Sequence, residues 1–211
     1  MSQQVSLILI RHAQSEANSS KVISGALEVP LSPLGRQQAA QLQKILPALE
    51  IQEVITSAQE RAKETASLAL EPWYVSGRRE TELLNERHWG VLEGVACHIY
   101  EEILEKKQIS QKNFTPDEGE SLDDLKSRVK DVASELRAIN RNTAVFAHHS
   151  SLKALLCALL PAEFPEWDAF GIPNATPVML TLEQSHFQLD SRSRKILFAP
   201  DALIAPLLLA E

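Results

Sequence analysis

Val5-Ser6-Leu7-Ile8-Leu9-Ile10 is a nearly unbroken apolar run rich in branched side chains, and it stops at once in Arg11-His12. Successive side chains of a strand point to opposite sides of a sheet, so consecutive apolar positions suit a strand covered on both faces. Two further short runs follow, Glu53 to Thr56 and Thr143 to Ala147. Helical patterns separate them. One begins after Ser32-Pro33, a cap and first-turn pair, and extends to about Leu49; others cover about 59–70, 95–106, 121–139 and Ser151 to Leu160. Ser121 reads as the cap of the long helix, with Asp123 and Asp124 in its first turn, where the helix dipole favours anions. Strand and helix alternate, which predicts one α/β domain over residues 1–211, a mainly parallel central sheet flanked by helices on both faces. Val178 to Leu182 and Phe187 to Asp190 read as late, outer strands. Residues 95–120 hold a small insertion, and its polar part from 107 to 120, with Pro116 and Gly119, reads as a loop over one face.

Composition narrows the partners. With 44% apolar and 23% charged residues in 211, the chain describes an ordinary globular protein able to bury roughly 70% of its unfolded surface. Its 21 basic and 28 acidic side chains leave a net charge of −7, which works against nucleic acid, since a phosphate backbone is held by clustered Lys and Arg. Lys106-Lys107 and Arg192 to Lys195 are short and read as solvated. The two cysteines, Cys97 and Cys157, lie far apart without CxxC spacing, which fits a reducing, cytoplasmic compartment. Residues 1–4 carry no basic n-region, and no stretch is long enough for a membrane span. The apolar segment Ala202 to Ala210, interrupted by Pro206, is expected to pack on the core or against a partner chain, which allows a homodimer.

In an open α/β sheet, ligands collect outside the carboxyl ends of the strands. Here the first strand ends in Arg11-His12, the second in Thr56-Ser57 with Arg61 one turn into the next helix, and the third in His148-His149. Cations and imidazoles therefore converge on one edge of an acidic protein, the pattern of a pocket for a compact dianion. Arg binds phosphate with a planar fork that Lys cannot reproduce. Ser150-Ser151, opening a helix after His148, adds backbone donors and a positive dipole end. Gly25, in a polar loop before Pro30, is expected to let the backbone approach the ligand. A neutral imidazole can attack phosphorus and split one hard displacement into formation and hydrolysis of a phosphohistidine. The leaving alkoxide then needs a proton, and Glu86 in Leu84-Asn85-Glu86-Arg87-His88-Trp89-Gly90 is the candidate acid, because a bound dianion beside it favours the protonated carboxyl. Positive charge from Arg and His serves the transferring group, so neither a cofactor nor a metal is expected. Adjacent imidazoles such as His148 and His149 do not share one face, and no nearby Cys or Asp completes a zinc set.

These motifs, in this order, resemble the histidine phosphatase superfamily, also called the phosphoglycerate-mutase-like family. Leu9-Ile10-Arg11-His12-Ala13-Gln14-Ser15-Glu16-Ala17-Asn18 is similar to its Arg-His-Gly signature with the downstream Asn. Gly25 to Ala39, Ser57 to Thr65, Leu84 to Gly94, Gly119-Glu120-Ser121-Leu122 and Ala147-His148 resemble the segments that follow, over about residues 6–182. The resemblance implies His12 as the phosphorylated nucleophile and Arg11, Asn18 and Arg61 as phosphate ligands. It also implies His148 as the second pocket histidine and Glu86 as the proton donor. Ser57, Gly25 and His149 join the candidate phosphate and substrate contacts.

Two positions depart from the family pattern: Ala13 stands where Gly is usual, and His149 where Gly usually follows the second histidine. His149 either narrows the pocket, adds a donor or points away. Leu84 to His88, Ser151 to Leu155 and Gly171-Ile172-Pro173 resemble the mutases, yet the segment between Gly94 and Gly119 is shorter than the mutase insertion and lacks its paired arginines. That favours hydrolysis of a small phosphorylated metabolite. A bisphosphoglycerate-dependent mutase and a catalytically silent phosphate-binding module are the alternatives. Taken singly, Arg11 and Arg61 read as solvated charges, His148 as a core histidine, Asn18 and Ser57 as a turn residue and a cap. Trp89 reads as a core or rim aromatic that could line the substrate pocket.

Overall fold

The computed structural model describes residues 5–71, 73, 75–160, 167–183 and 186–198. The strands are β1 (Val5–Arg11), β2 (Glu53–Ser57), β3 (Gly77–Thr81), β4 (Thr143–Ala147), β5 (Pro177–Glu183) and β6 (His186–Leu189). They form one sheet in the order β3-β2-β4-β1-β5-β6. β3, β2, β4 and β1 run parallel, whereas β5 pairs antiparallel with both β1 and β6. The helices are α1 (Glu16–Ser19), α2 (Pro33–Gln41), α3 (Glu60–Leu70), α4 (Cys97–Lys107), α5 (Leu122–Leu136), α6 (His149–Leu159) and α7 (Ser191–Phe198). The mainly parallel sheet covered on both faces is borne out.

The consecutive apolar residues of β1 explain that coverage. Leu7 and Leu9 enter one core with Val145 of β4, Val132 and Leu136 of α5, Leu152 and Leu155 of α6, and Ile196 of α7. Ile8 and Ile10 point the other way, into a second core with Phe146, Ala39 of α2, and Ala66 and Leu70 of α3. Burying these four β1 side chains stabilises the fold by about 1.5–3 kcal/mol each. A charge at any of them would sit in one core or the other. The long helix starts where expected: Ser121 Oγ accepts from Asp124 N–H at 3.1 Å while Asp124 returns a carboxylate to Ser121 N–H, a reciprocal cap.

Some expected elements shift. The helix after Ser32-Pro33 closes at Gln41 instead of about Leu49, and continues as 3-10 turns at Leu42–Lys44 and Leu46–Leu49. Pro47 has no N–H to continue an α-helical ladder, and Glu50 turns left-handed at φ 46° to end the segment. β3, Gly77-Arg78-Arg79-Glu80-Thr81, has no apolar alternation because it is a half-exposed edge strand, held by pairing to β2 and by the Arg79–Glu135 ion pair at 2.7 Å. The basic run Arg192 to Lys195 lies in α7, whose Ser193, Ile196 and Leu197 are buried while Arg192, Arg194 and Lys195 face out. In the 95–120 insertion, α4 is followed by a 3-10 turn at Gln111–Asn113, and Tyr100 and Phe114 pack with Leu92 in a small core of their own. Among the described residues no helix is long and apolar enough to cross a membrane. The apolar segment 202–210 lies outside the described residues.

Candidate active site

Because β2, β4 and β1 are neighbours and parallel, their carboxyl ends share one edge, and Ser57, His148, Arg11 and His12 meet there. His12 N–H donates to Ala147 O at 2.9 Å, tying the exit of β1 to the end of β4. The buried His12 ring places Nδ1 2.7 Å from Ala13 O. A carbonyl can only accept, so Nδ1 carries the proton and Nε2 keeps the lone pair. Burial, reinforced by Arg11 and Arg61, holds this imidazole well below its ordinary 6.5, hence neutral. Ala13 is buried, and its N–H donates to Thr65 Oγ1 at 3.0 Å, so the residue after His12 is anchored to α3.

The His148 ring lies 5.1 Å from that of His12, tilted by 56°. His148 Nε2 is 2.7 Å from Ser57 Oγ, and Ser57 Oγ is 2.8 Å from Asn85 Oδ1. Ala58 N–H also donates to Asn85 Oδ1, at 3.1 Å, which fixes that amide oxygen as an acceptor. Ser57 therefore gives its proton to Asn85 and accepts from His148 Nε2–H, so the lone pair of neutral His148 falls on Nδ1. Burial and the surrounding His12, Arg61 and Arg11 keep His148 well below 6.5 as well.

Arg61, fully buried on α3, donates Nη1–H to Leu27 O and Nη2–H to Gly25 O, both at 2.8 Å. Arg11 donates Nη1–H to Ile172 O at 3.0 Å. Burial lowers both guanidinium pKa values, Arg11's to about 10, while the attraction of Glu86 opposes the shift. Arg11 Nε, Arg61 Nε and His148 Nδ1 are buried without a hydrogen-bond partner. Buried polar atoms are nearly always paired, so orphans gathered on one rim point to a ligand with several acceptor oxygens. Such a ligand supplies acceptors to the two guanidiniums and favours protonation of His148 Nδ1 into a donor.

The Glu86 carboxylate accepts from Arg87 N–H at 2.8 Å and Ser150 N–H at 3.0 Å, at the start of α6. Of the backbone donors expected at Ser150-Ser151, the Ser150 N–H serves Glu86, while the Ser151 hydroxyl accepts His148 N–H at 3.2 Å. A helix start attracts whichever anion reaches it first, and here that anion is a side chain. Gly25 has a structural part as well. Its left-handed φ of +51° and missing Cβ make room for Glu93, whose Oε1 would lie 2.3 Å from a Cβ there, and its carbonyl fastens Arg61. Asn18 commits Oδ1 to Ser15 N–H and to Asn174 Nδ2–H, both at 3.2 Å, which leaves its own Nδ2–H groups for a ligand. His149 is half-buried, with Nδ1 3.4 Å from both Arg11 Nη1 and Ile172 O, and burial and the charge of Arg11 keep it well below 6.5.

Several supporting residues carried no signal of their own in the sequence. Asn174 donates to His12 O at 2.7 Å. Gln59 receives Glu86 N–H at 2.8 Å and donates to Gly25 O at 3.0 Å. Arg128 forks onto Glu120 at 2.6 and 3.0 Å and donates to the carbonyls of Asn85 and Glu86, fixing the acid loop. Asn85 and Gln59 lie within the quoted motifs, and Arg128 lies two turns past the Ser121 cap, but only the folded backbone shows what they reach. Among the described residues no three or more His, Cys, Asp or Glu side chains gather as a metal-ligating group.

The profile of the histidine phosphatase superfamily (branch 1) matches residues 7–194. The chain belongs to that superfamily. Phosphoserine phosphatase 1 of Hydrogenobacter thermophilus is 29% identical over 189 residues, covering 85% of this chain and 88% of its own. A 2,3-bisphosphoglycerate-dependent phosphoglycerate mutase of Cytophaga hutchinsonii is 31% identical over 166 residues, 72% of this chain and 76% of its own. A solved mycobacterial glucosyl-3-phosphoglycerate phosphatase in complex with VO3 superposes with a TM-score of 0.78 at 26% identity, covering 88% of this chain and 97% of that one. The expected family is borne out, and the chain is a histidine-phosphatase-type enzyme.

Proposed function

We propose that the protein hydrolyses the phosphate monoester of a small metabolite through a phosphohistidine at His12. The observation that carries this reading is the fixed tautomer of His12: Nδ1–H rests on Ala13 O at 2.7 Å, so the Nε2 lone pair is available beside orphaned donors of two arginines. His12 Nε2 attacks phosphorus, the bond to the ester oxygen breaks, and its electron pair leaves with that oxygen. Glu86 delivers a proton to the departing oxygen and releases the alcohol. Water then attacks the phosphoryl group, Glu86 takes the water's proton, the N–P bond breaks, and inorganic phosphate departs with His12 neutral again. Arg11, Arg61 and His148 hold the equatorial oxygens through both displacements, and Asn18 adds a neutral donor.

The mutase alternative differs in the fate of the phosphoryl group, which must return to a bound acid before water reaches it. The 95–120 segment bears Lys106 and Lys107 on the last turn of α4 and no arginine, which supports hydrolysis. The test is phosphate release from an aryl phosphate in excess chelator. The wild-type protein is expected to turn over, and His12→Ala to lose at least about 10³-fold in kcat. Undiminished turnover by His12→Ala would refute the mechanism, and primer-dependent isomerisation of 3-phosphoglycerate without net phosphate release would establish the mutase instead.

A further inference from the structure

A cleft of about 200 Å³ adjoins the acid end of the site. It is bounded by Arg87 and Ser150, the residues whose N–H groups hold Glu86, and walled by Trp89, Tyr100, Trp167 and Lys153. That volume is below the roughly 300–1,000 Å³ of drug-sized sites, so it suits a compact molecule. Its position beside the proton donor is where the leaving alcohol of a phosphomonoester has to lie.

The polar groups of this cleft are unusual. Lys153 is 3% exposed, and its ammonium stacks on the rings of Trp167 at 4.6 Å and Phe170 at 4.9 Å. Among the described residues no acidic side chain pairs with it; Asp168 and Glu86 attract it only at longer range. A buried ammonium stacked on two aromatic faces, with no ion pair among the described residues, keeps N–H donors for a ligand. The Tyr100 hydroxyl is also buried without a hydrogen-bond partner, and burial pushes its pKa up to about 12, so it remains a donor. His149 lies four residues before Lys153 on the same face of α6 and lines the same cleft. Arg87 also lines the cleft, but its Nε and Nη2 are tied to Glu120 O at 2.8 Å and Phe114 O at 2.5 Å, so its Nε–Nη2 edge is not open to a ligand. One ammonium and one phenol, beside a guanidinium whose Nε–Nη2 edge is already tied to two carbonyls, match a carboxylate better than a second phosphate dianion.

Building on the phosphomonoesterase reading, we propose that the preferred substrate carries a carboxylate on its leaving alcohol, and that Lys153 and Tyr100 are the residues that select it. The test compares 3-phosphoglycerate with glycerol 3-phosphate, which differ by a carboxylate in place of a hydroxymethyl group. The wild-type protein is expected to favour 3-phosphoglycerate by at least about tenfold in kcat/KM for phosphate release. Lys153→Met, of similar length and apolar, brings that ratio to within about twofold, Lys153→Arg keeps part of it, and Tyr100→Phe lowers it several-fold, with folding of each variant checked by its melting temperature. Equal use of both esters by the wild-type protein, or an unaltered preference in folded Lys153→Met, overturns the assignment while leaving the hydrolase standing. Should neither ester be turned over, the hydrolytic reading is judged by the aryl phosphate alone, and calorimetric titration of the same two esters decides the cleft. Selective binding of 3-phosphoglycerate that Lys153→Met abolishes upholds it, and unselective or absent binding overturns it.

Discussion

The proposed phosphate end and the proposed leaving-group end of the site are built by different means. Arg11, His12, Ser57 and His148 stand at the mouths of adjacent parallel strands, and main-chain carbonyls of Ala13, Ile172, Gly25 and Leu27 lock the histidine and guanidinium groups proposed to face the phosphate. The leaving-group cleft is assembled from side chains on α4, α6 and the Trp89 and Trp167 turns, which meet only by packing. Strand mouths in a parallel sheet occupy fixed positions, so the first end can be rigid and common to a superfamily. Packed helices and insertions vary freely, so the second end can differ from one member to the next.

Four changes would break or sharpen that contrast. The largest effect is expected at the junction of the two ends. Glu86→Gln keeps an acceptor for Ser150 N–H but cannot supply a proton, so kcat for an alkyl phosphate falls about 10²–10⁴-fold, whereas an aryl phosphate with an acidic leaving group loses far less; equal losses for both would remove Glu86 from the acid role. At the phosphate end, Arg61→Met deletes a charged donor and the clamp on Gly25 and Leu27, and kcat/KM is expected to drop by about 1.5–3 kcal/mol for each bond to phosphate lost. Steady-state kinetics within twofold of wild type would show that this guanidinium only supports the loop.

The next effect is one of stability. His12 and His148 are neutral in the fold, with pKa values well below 6.5, and near 6.5 when unfolded. Above that value neither state binds the proton and the rings contribute nothing. Below it the unfolded chain takes protons the fold refuses, so stability falls with falling pH by up to about 1.4 kcal/mol per unit for each ring. Calorimetry should find the melting temperature dropping from about pH 7 to about pH 5, with saturating phosphate reducing the drop; a flat profile would mean the rings are not held neutral. The smallest change is Ser57→Ala, which removes the acceptor for His148 Nε2–H and is expected to cost about 1 kcal/mol in transition-state stabilisation, with Ser57→Thr restoring part of it.

The same contrast decides what the sequence revealed. β1 announced itself through apolar residues on both faces, and the Arg-His pair behind it was placed by the strand's end alone. β3 stayed hidden because an edge strand of Gly-Arg-Arg-Glu-Thr satisfies its backbone through β2 and needs no apolar face. α7 looked like a solvated basic run because its buried side is only Ser193, Ile196 and Leu197. At the site, the backbone-to-side-chain bonds of Asn174, Gln59 and Arg128 join residues 27 to 162 positions apart, which no local pattern encodes. Gly25 was legible as a loop glycine near the site, but the hold of its carbonyl on Arg61 was not. Lys153 fell inside the helix expected over Ser151 to Leu160 with no role of its own, and the packing of Trp167 and Phe170 over its ammonium sets it apart.

The most direct measurement is to mix the protein with a phosphomonoester, quench in alkali at successive times, and map phosphoryl groups by peptide mass spectrometry. A phosphoryl group on the His12 peptide that rises before phosphate release and is absent from His12→Ala is the expected result. Steady phosphate release with the His12 peptide unmodified at every time, or with the phosphoryl group on another residue, would contradict the account.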